Sequence, residues 1–356
     1  MTVFSTNDFD DHESVLFFHD KETGLKAILA VHDTTMGPAL GGTRMWNYAS
    51  EEEAVKDVLR LSRGMTYKSA LAGLKLGGGK SVIIGDPHTQ KSEALFEAFG
   101  RAVDRLNGAY IAAEDVGTSV ADLEVARRQT KHIAGITEGG AGDPSPATSW
   151  GVFNGVTAAA KHKFGSTDLK GLKVAVQGLG NVGFGLCQHL HKAGAELIVA
   201  DIYEDSVLRA VKELGATAVD PATIHAEEVD IYAPCALGGA INEKSIEEIK
   251  APVIAGAANN QLETPEMGQE LRRRGILYAP DYVINAGGII LISHEGPTFN
   301  RKAAFKQVGD IHNTLLDIFA RADAEDKPTD EIADKIALEI LESNRKKDKG
   351  ALSLSA

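Results

Sequence analysis

The chain has 356 residues, 43% of them hydrophobic and 24% charged, a composition that suits a globular protein of about two domains. Its net charge of −13, with no long basic run, argues against sequence-independent nucleic-acid binding, which needs a basic patch to displace counterions. No window approaches the roughly 18 consecutive apolar residues of a membrane span, and the acidic opening MTVFSTNDFDDHESV is unlike a signal peptide.

Strand-like runs at 15–19 and 25–32 come first. Ser50 stands three residues before Glu53, the spacing of a capping box, and Val55, Val58 and Leu59 continue at helical period. This helix leads through RGMTYK, 63–68, to Gly77, Gly78, Gly79 and Lys80. Residues 81–84 read as a strand, 91–106 as a helix stopped by Asn107-Gly108, and 109–113 as a strand that delivers Asp115 to its C-terminal end. A helix over 120–129 follows, and the Gly/Pro/Ser-rich stretch 138–149 marks a domain boundary. Beyond it come a helix at 150–163, a strand at 173–177, a helix at 183–193, a strand ending at Asp201 and a helix at 204–214. Strands in VDIYAPCA and PVIAGAANN continue the alternation, and RRR, 272–274, reads as a solvated last turn of a helix. A long amphipathic helix is expected over 301–323 and a last one from Pro328, with NRKKDKGALSLSA fraying. Strands that alternate with helices imply an α/β fold with a parallel sheet and right-handed crossovers.

The strand 173–177 runs directly into GLGNVG, which has Gly178, Gly180 and Gly183 in G-x-G-x-x-G spacing, and a helix follows. The first glycine permits a tight turn, the second lets backbone approach a pyrophosphate, and the third lets helix and strand pack closely. The helix N-terminus offers free N–H groups to that anion. Asp201 ends the next strand at the distance expected of a ribose-binding carboxylate. Such a carboxylate repels a 2′-phosphate, and no Arg or Lys follows closely in DIYEDS, so NAD is expected rather than NADP.

GLKLGGGKS raises a separate question. A P-loop needs a glycine where Leu74 stands and a helix after the lysine, whereas SVIIGDP reads as a strand. A reactive lysine is the alternative. Were Lys68 and Lys80 to face one cleft, each ammonium would disfavour charge on the other, and the glycines would let backbone N–H groups stand beside a substrate anion. Two lysines and the Asp115 carboxylate suit an amino acid. Pattern alone leaves open that both lysines are simply solvated.

The motifs AVHDTTMGPALGGTRMW, RGMTYK, LGGGK, AEDVGT, PSPATSWGV, VAVQGLGNV, DIYAPCALGG, VIAGAANNQL and YAPDYVINAGG span nearly the whole chain. Through them it resembles the glutamate/leucine/phenylalanine/valine dehydrogenase superfamily, and most closely its leucine dehydrogenase branch. The resemblance implies two domains around a cleft: a substrate-binding and oligomerisation domain at 1–140, with a helix at 327–356 packing back on it, and a Rossmann-type NAD-binding domain at 141–326. It implies NAD-dependent deamination of an L-amino acid to a 2-oxo acid in a cytoplasmic homo-oligomer, an octamer by likeness to the branch. By the same resemblance Lys80 is the catalytic base, Asp115 moves the proton at the amine, Lys68 holds the substrate carboxylate, and Gly78 and Asn260 lie beside the substrate. Thr148, Asn181, Val182, Cys235, Ala236, Ala257, Asn259 and Asn285 would join Gly178, Gly180, Gly183 and Asp201 around the cofactor.

Leu40, Gly41, Met65, Ala113, Ile289 and Ile292 are the candidate side-chain pocket, all apolar or small. A distal carboxylate would lack a partner there, so branched-chain aliphatic substrates are expected, with phenylalanine or another hydrophobic amino acid as the alternative. IILISHEGPTF, 289–299, departs from the family run at Leu291 and His294. His189 and His191 point to different helix faces and Cys187 and Cys235 form no C-x-x-C, so reduced thiols and no metal are expected. A non-catalytic NAD-binding regulator is the reading from another class; the presence of Lys68, Lys80 and Asp115 speaks against it.

Overall fold

The computed structural model describes residues 3–137, 140–296 and 298–354; Glu138 and Gly139 of the expected boundary, Pro297 of the divergent 289–299 run and the tail residues Ser355 and Ala356 lie outside the described residues. The chain forms two compact units, one of Met1–Asp143, Ile292–Phe299 and Ala337–Ala356, the other of Pro144–Leu291 and Asn300–Ile336. No helix among the described residues is long and apolar enough to cross a membrane.

The first unit contains β1 (Ser14–Asp20), β2 (Leu25–Asp33), β3 (Ala39–Trp46), α1 (Glu51–Leu71), β4 (Gly77–Ile84), α2 (Glu93–Asp104), β5 (Tyr110–Glu114) and α3 (Val120–Arg127). The strand order is β1-β2-β4-β3-β5, antiparallel between β1, β2 and β4 and parallel between β4, β3 and β5. One face buries Ile28, Ala30 and Val82 against Ala54, Val55, Val58 and Leu59 of α1. The other packs Leu29, Val31, Met45, Ile83 and Tyr110 on Phe96, Phe99 and Leu123 of α2 and α3. At the start of α1, Ser50 accepts from the Glu53 amide, but the Glu53 carboxylate takes the Ala49 amide, so the capping pair closes one residue before the expected box.

Two features were not legible. β3 lies inside PALGGTRMW, where a proline and two glycines disguise a central strand. The triple glycine is itself the start of β4. A Cβ at Gly77 would lie 2.1 Å from Asp33 O, one at Gly78 2.1 Å from Thr66 N, and one at Gly79 2.7 Å from the Tyr110 ring. Close packing of strand, helix and ring therefore explains the glycines without a ligand.

The second unit begins with α4 (Ser145–Phe164), then β6 (Lys173–Gln177), α5 (Asn181–Lys192), β7 (Glu196–Ala200), α6 (Glu204–Leu214), β8 (Thr217–Ala218) and β9 (Ile231–Pro234). The chain continues with α7 (Ser245–Glu248), β10 (Val253–Ile254), α8 (Glu266–Arg273), β11 (Leu277–Tyr278), α9 (Asp281–Ile284), α10 (Gly287–Ser293), α11 (Arg301–Gly309), α12 (Ile311–Glu325) and α13 (Thr329–Leu354), of which the end of α10 from Ile292 and α13 from Ala337 belong to the first unit. The second unit's sheet, β11-β10-β9-β6-β7-β8, is parallel throughout, and the order in which strands are added reverses between β6 and β9, the doubly wound order of a dinucleotide-binding domain. α4 starts five residues before the expected 150, because Pro146 sits where a first helical turn accepts proline. The expected single helix at 301–323 is two, broken at Gly309-Asp310. The arginines of RRR are ion-paired rather than merely solvated, Arg272 with Asp323 and Asp326, and Arg273 and Arg274 with Glu270. The tail continues in α13 through Leu354, and Arg345 pairs with the buried Asp33.

His32 of β2 is buried, bonds Thr66 Oγ1 on α1 at 2.8 Å, and meets the His12 ring edge-on at 4.7 Å. Burial pushes its pKa down to about 4, and charge on His12 acts in the same direction. A neutral His32 therefore stabilises the fold fully above the ordinary imidazole pKa of about 6.5, and this is lost as pH falls towards 4. Lowering the pH from 7 to 4 is expected to remove up to about 3 kcal/mol more unfolding free energy from the wild type than from His32→Gln; identical pH dependence in the two proteins would remove His32 from this role.

Candidate active site

Alternate residues of a strand share a sheet face. Leu40 and Gly42 of β3, Gly78 and Lys80 of β4, and Ile111 and Ala113 of β5 therefore line one face, with Asp115 just past the end of β5. Lys80 is 5% exposed, and its Nζ donates to Asp115 Oδ2 at 2.8 Å. Arg44 Nε donates to the same oxygen at 3.1 Å. Burial opposes charge on Asp115, but the two cations outweigh it and hold the carboxyl below its ordinary range. Room for the pair comes from Gly42, where a Cβ would lie 2.7 Å from Asp115 Cβ and 3.2 Å from Lys80 Nζ. The β3–β4 register is the same at Leu40↔Gly78 and at Thr43↔Ser81, which sets Gly42 level with Lys80.

Lys68 is on α1 and half-buried. α1 meets β4 where Thr66 covers Gly78, so Lys68 and Lys80 each stand two residues past that contact. Leu40, Leu76, Ile111, Ile133, Ala134, Ile136 and Ile292 line a cavity of about 300 Å³ together with Arg127, Lys131, His132, Ser293, Glu295 and Gly296. A Cβ on Gly135 would sit 3.5 Å from Ile292 and 3.9 Å from Ala113, which places Ala113 next to that lining. Gly41, Gly78, Met65 and Ile289 are not among the lining residues. The missing side chain of Gly41 makes room for Gly79 O, 1.7 Å from its would-be Cβ.

In the second unit β6 turns at Gly178, whose φ of +99° favours glycine. A Cβ there would lie 2.8 Å from Ala236 N, and one at Gly183 would lie 1.9 Å from Gly178 O and 3.3 Å from Cys235 Cβ. Cys235 and Ala236 thus flank the glycine turn at the point where the strand order reverses, and burial pushes the Cys235 thiol up to about 12. Gly180 differs: its φ is ordinary and nothing lies within 4 Å of its would-be Cβ. The protein itself does not demand that glycine, and an approaching pyrophosphate would. Asn181 and Val182 open α5, whose N-terminus carries no side-chain cap, leaving donors for an anion. Asp201 Oδ2 accepts from Leu179 N at 2.5 Å and Oδ1 from Tyr203 N at 2.9 Å, so the carboxylate is fixed against the turn. Asn285 Nδ2 donates to Asn259 Oδ1 at 2.7 Å and to Ala257 O at 3.0 Å. Thr148 on α4 packs against Gly287 and Gly288 of α10. These residues fit a nicotinamide dinucleotide lying along the C-terminal ends of the strands.

The sequence model described as Glu/Leu/Phe/Val dehydrogenase, dimerisation domain, matches residues 12–132. The one described as Glutamate/Leucine/Phenylalanine/Valine dehydrogenase matches 139–203 and 200–307. The chain belongs to the Glu/Leu/Phe/Val dehydrogenase family. It is 56% identical to a leucine dehydrogenase of Geobacillus stearothermophilus over 97% of this chain and 95% of that one. A leucine dehydrogenase of Bacillus subtilis is 51% identical over 97% and 96%. The crystal structure of L-tryptophan dehydrogenase from Nostoc punctiforme superposes with a TM-score of 0.84 at 46% identity, covering 94% of this chain and 97% of that one. This family member is thus an amino acid dehydrogenase that uses a nicotinamide dinucleotide.

Three supporting residues escaped the sequence reading. Arg44 was part of a quoted motif but had no visible partner. Glu295 accepts the amides of Gly135 at 3.0 Å and Ala141 at 2.6 Å, tying two segments at the cavity. Gln261, fully buried, donates to Gly256 O and Ala258 O and so shapes the loop that carries Asn259 and Asn260. A glutamate and a glutamine in polar loops give no such signal. For the family chemistry, Gly42→Ala should lower kcat on the order of 10²-fold by displacing Asp115 and Lys80, with dinucleotide affinity unchanged. Steady-state kinetics beside equilibrium titration checks this; full kcat would show that the pair tolerates displacement.

Proposed function

We propose that the protein catalyses the reversible, NAD-dependent oxidative deamination of branched-chain aliphatic L-amino acids, leucine with valine and isoleucine, to 2-oxo acids and ammonium. The buried contact between Lys80 and Asp115 beside a cavity lined in part by aliphatic residues carries this reading. Lys68 holds the α-carboxylate of the substrate. Asp115 takes a proton from the α-ammonium, because an ammonium cannot support loss of hydride. A bound nicotinamide dinucleotide would supply the acceptor for the hydride that leaves Cα. Lys80 then removes a proton from water as the oxygen bonds to the imine carbon. Asp115 returns its proton to the nitrogen of the tetrahedral adduct, the C–N bond breaks as the adduct's hydroxyl proton passes to the departing ammonia, and the 2-oxo acid and ammonium leave while the proton taken by Lys80 is released to solvent. Thr148, Asn259 and Asn285 would hold the nicotinamide end of the cofactor, and Asn260 would lie beside the substrate. Asp201 favours NAD: its fixed oxygens suit ribose hydroxyls and repel a 2′-phosphate. We further propose a cytoplasmic homo-octamer, built through the domain that matches the dimerisation model.

Leu40, Ile111 and Ile292 favour an aliphatic side chain, since a carboxylate packed against those three residues would lose water and gain no partner from them. Initial rates of NAD reduction across L-Leu, L-Ile, L-Val, L-Phe and L-Glu, repeated with NADP, test the assignment. Highest kcat/KM for the aliphatic acids with NAD is expected; highest efficiency with phenylalanine would overturn the branched-chain reading. Lys80→Ala should abolish turnover while NAD still binds, as calorimetry would show, and retained turnover would remove Lys80 from its role.

A further inference from the structure

Asp115 has two cationic partners, and the chemistry above uses only one. Arg44 of β3 spans from Asp115 to α1: Nε donates to Asp115 Oδ2 at 3.1 Å, and Nη1 donates to Asp57 at 3.0 and 3.2 Å. Asp57 is fixed in turn by the Tyr48 hydroxyl at 2.6 Å. The guanidinium is thus held at both ends, and its planar fork is more rigid than a lysine stem.

A base that exchanges a proton cannot be the constant partner of a buried carboxylate. Each time Lys80 gives up its charge, Asp115 would lose its counterion unless another remained. A guanidinium does not deprotonate in proteins. Lys80 from β4 and Arg44 from β3 contact Asp115, and Tyr110 and Glu114 of β5 and Tyr48 past the end of β3 are the other titratable groups close enough for charge on Asp115 to act on them. Among them Arg44 alone keeps a fixed positive charge. We propose that Arg44 is a positioning residue for catalysis, holding Asp115 ionised and aimed while Lys80 exchanges its proton. This rests on the roles given to Asp115 and Lys80.

The surroundings of Arg44 also supply the test. It borders a cleft of about 470 Å³ lined with Trp46, Tyr48, Asp57, Arg60 and Val116, so a small guanidinium ion can reach the space that a truncated side chain leaves. The full-length protein would be assayed with NAD and its best amino acid as wild type, Arg44→Ala, Arg44→Lys and Asp115→Asn. Arg44→Ala should lose on the order of 10²-fold in kcat, keep its KM for NAD, and show the acidic limb of its kcat profile moved to higher pH, because Asp115 ionises less readily without Arg44. Arg44→Lys should recover part of the loss. Guanidinium at millimolar, non-denaturing concentration should restore Arg44→Ala and leave the wild type unaffected. Wild-type kcat and pH profile in a folded Arg44→Ala would overturn the proposal. So would a loss that follows a lowered unfolding temperature and responds to neither lysine nor guanidinium. Asp115→Asn separates the two levels: wild-type turnover there sinks the assignment of Asp115 itself, whereas an inactive Asp115→Asn beside a fully active Arg44→Ala sinks only the positioning role.

Discussion

The ion pair between Lys80 and Asp115 is the constraint around which the first unit is arranged. Taking an ammonium and a carboxylate out of water costs several kcal/mol per ion, and their attraction offsets this only where geometry and further hydrogen bonds are good. The surroundings supply both. β3, inserted between β4 and β5, brings a lysine and an aspartate 35 positions apart to one sheet face. Gly42 leaves the space between them, and Arg44 adds a second cation. The cavity opens on the same face, from Leu40 of β3 to Ile111 of β5. One face of one sheet thereby carries both the groups proposed for proton transfer and the aliphatic residues that would sort side chains.

Glycine does different work in the two units. Around β4 the glycines are forced by the protein itself: each would-be Cβ between Gly77 and Gly79 meets backbone or ring at under 3 Å. Gly178 and Gly183 are forced too, by Ala236 and by the turn's own carbonyl. Gly180 is the exception, with an ordinary backbone and open space above it. Where no protein atom requires a glycine, a close approach from outside supplies the reason, and the uncapped start of α5 beside it offers the N–H donors that a pyrophosphate would take.

What could be read in advance followed from range. The dinucleotide unit was legible because its signal is contiguous: strand, glycines, helix, strand and Asp201 lie within thirty residues of chain. Lys80 and Asp115 were legible as residue types, but their contact was not, because it depends on β3, whose own residues look like a loop. Arg44 was hidden for the same reason, its partners Asp57 and Asp115 lying 13 and 71 residues away. The break at Gly309-Asp310 eluded the reading because apolar period continues on both sides of it. The glycine run misled in a more interesting way. Lack of a side chain beside a candidate lysine suggests room for a ligand, yet the same absence is required when a helix residue such as Thr66 lies directly on the strand.

Side-chain selectivity has a different physical basis from the proton chemistry. The cavity wall draws on β3, β5, the segment around Ile133–Ile136 and Ile292, so its shape depends on how several stretches are held rather than on one residue. Glu295 matters here although it cannot recognise an aliphatic chain: by taking the amides of Gly135 and Ala141 it ties the segment bearing Ile292 to the one bearing Ile136. One methylene in an apolar pocket is worth only about 1–3 kcal/mol, so small shifts in those segments suffice to reorder leucine, isoleucine and valine. The ion pair behaves otherwise. Its energy depends steeply on distance and burial, and in the proposed mechanism small shifts there would reduce turnover of every substrate alike. Selectivity can therefore change at the wall of this fold while the Lys80–Asp115–Arg44 cluster stays as it is.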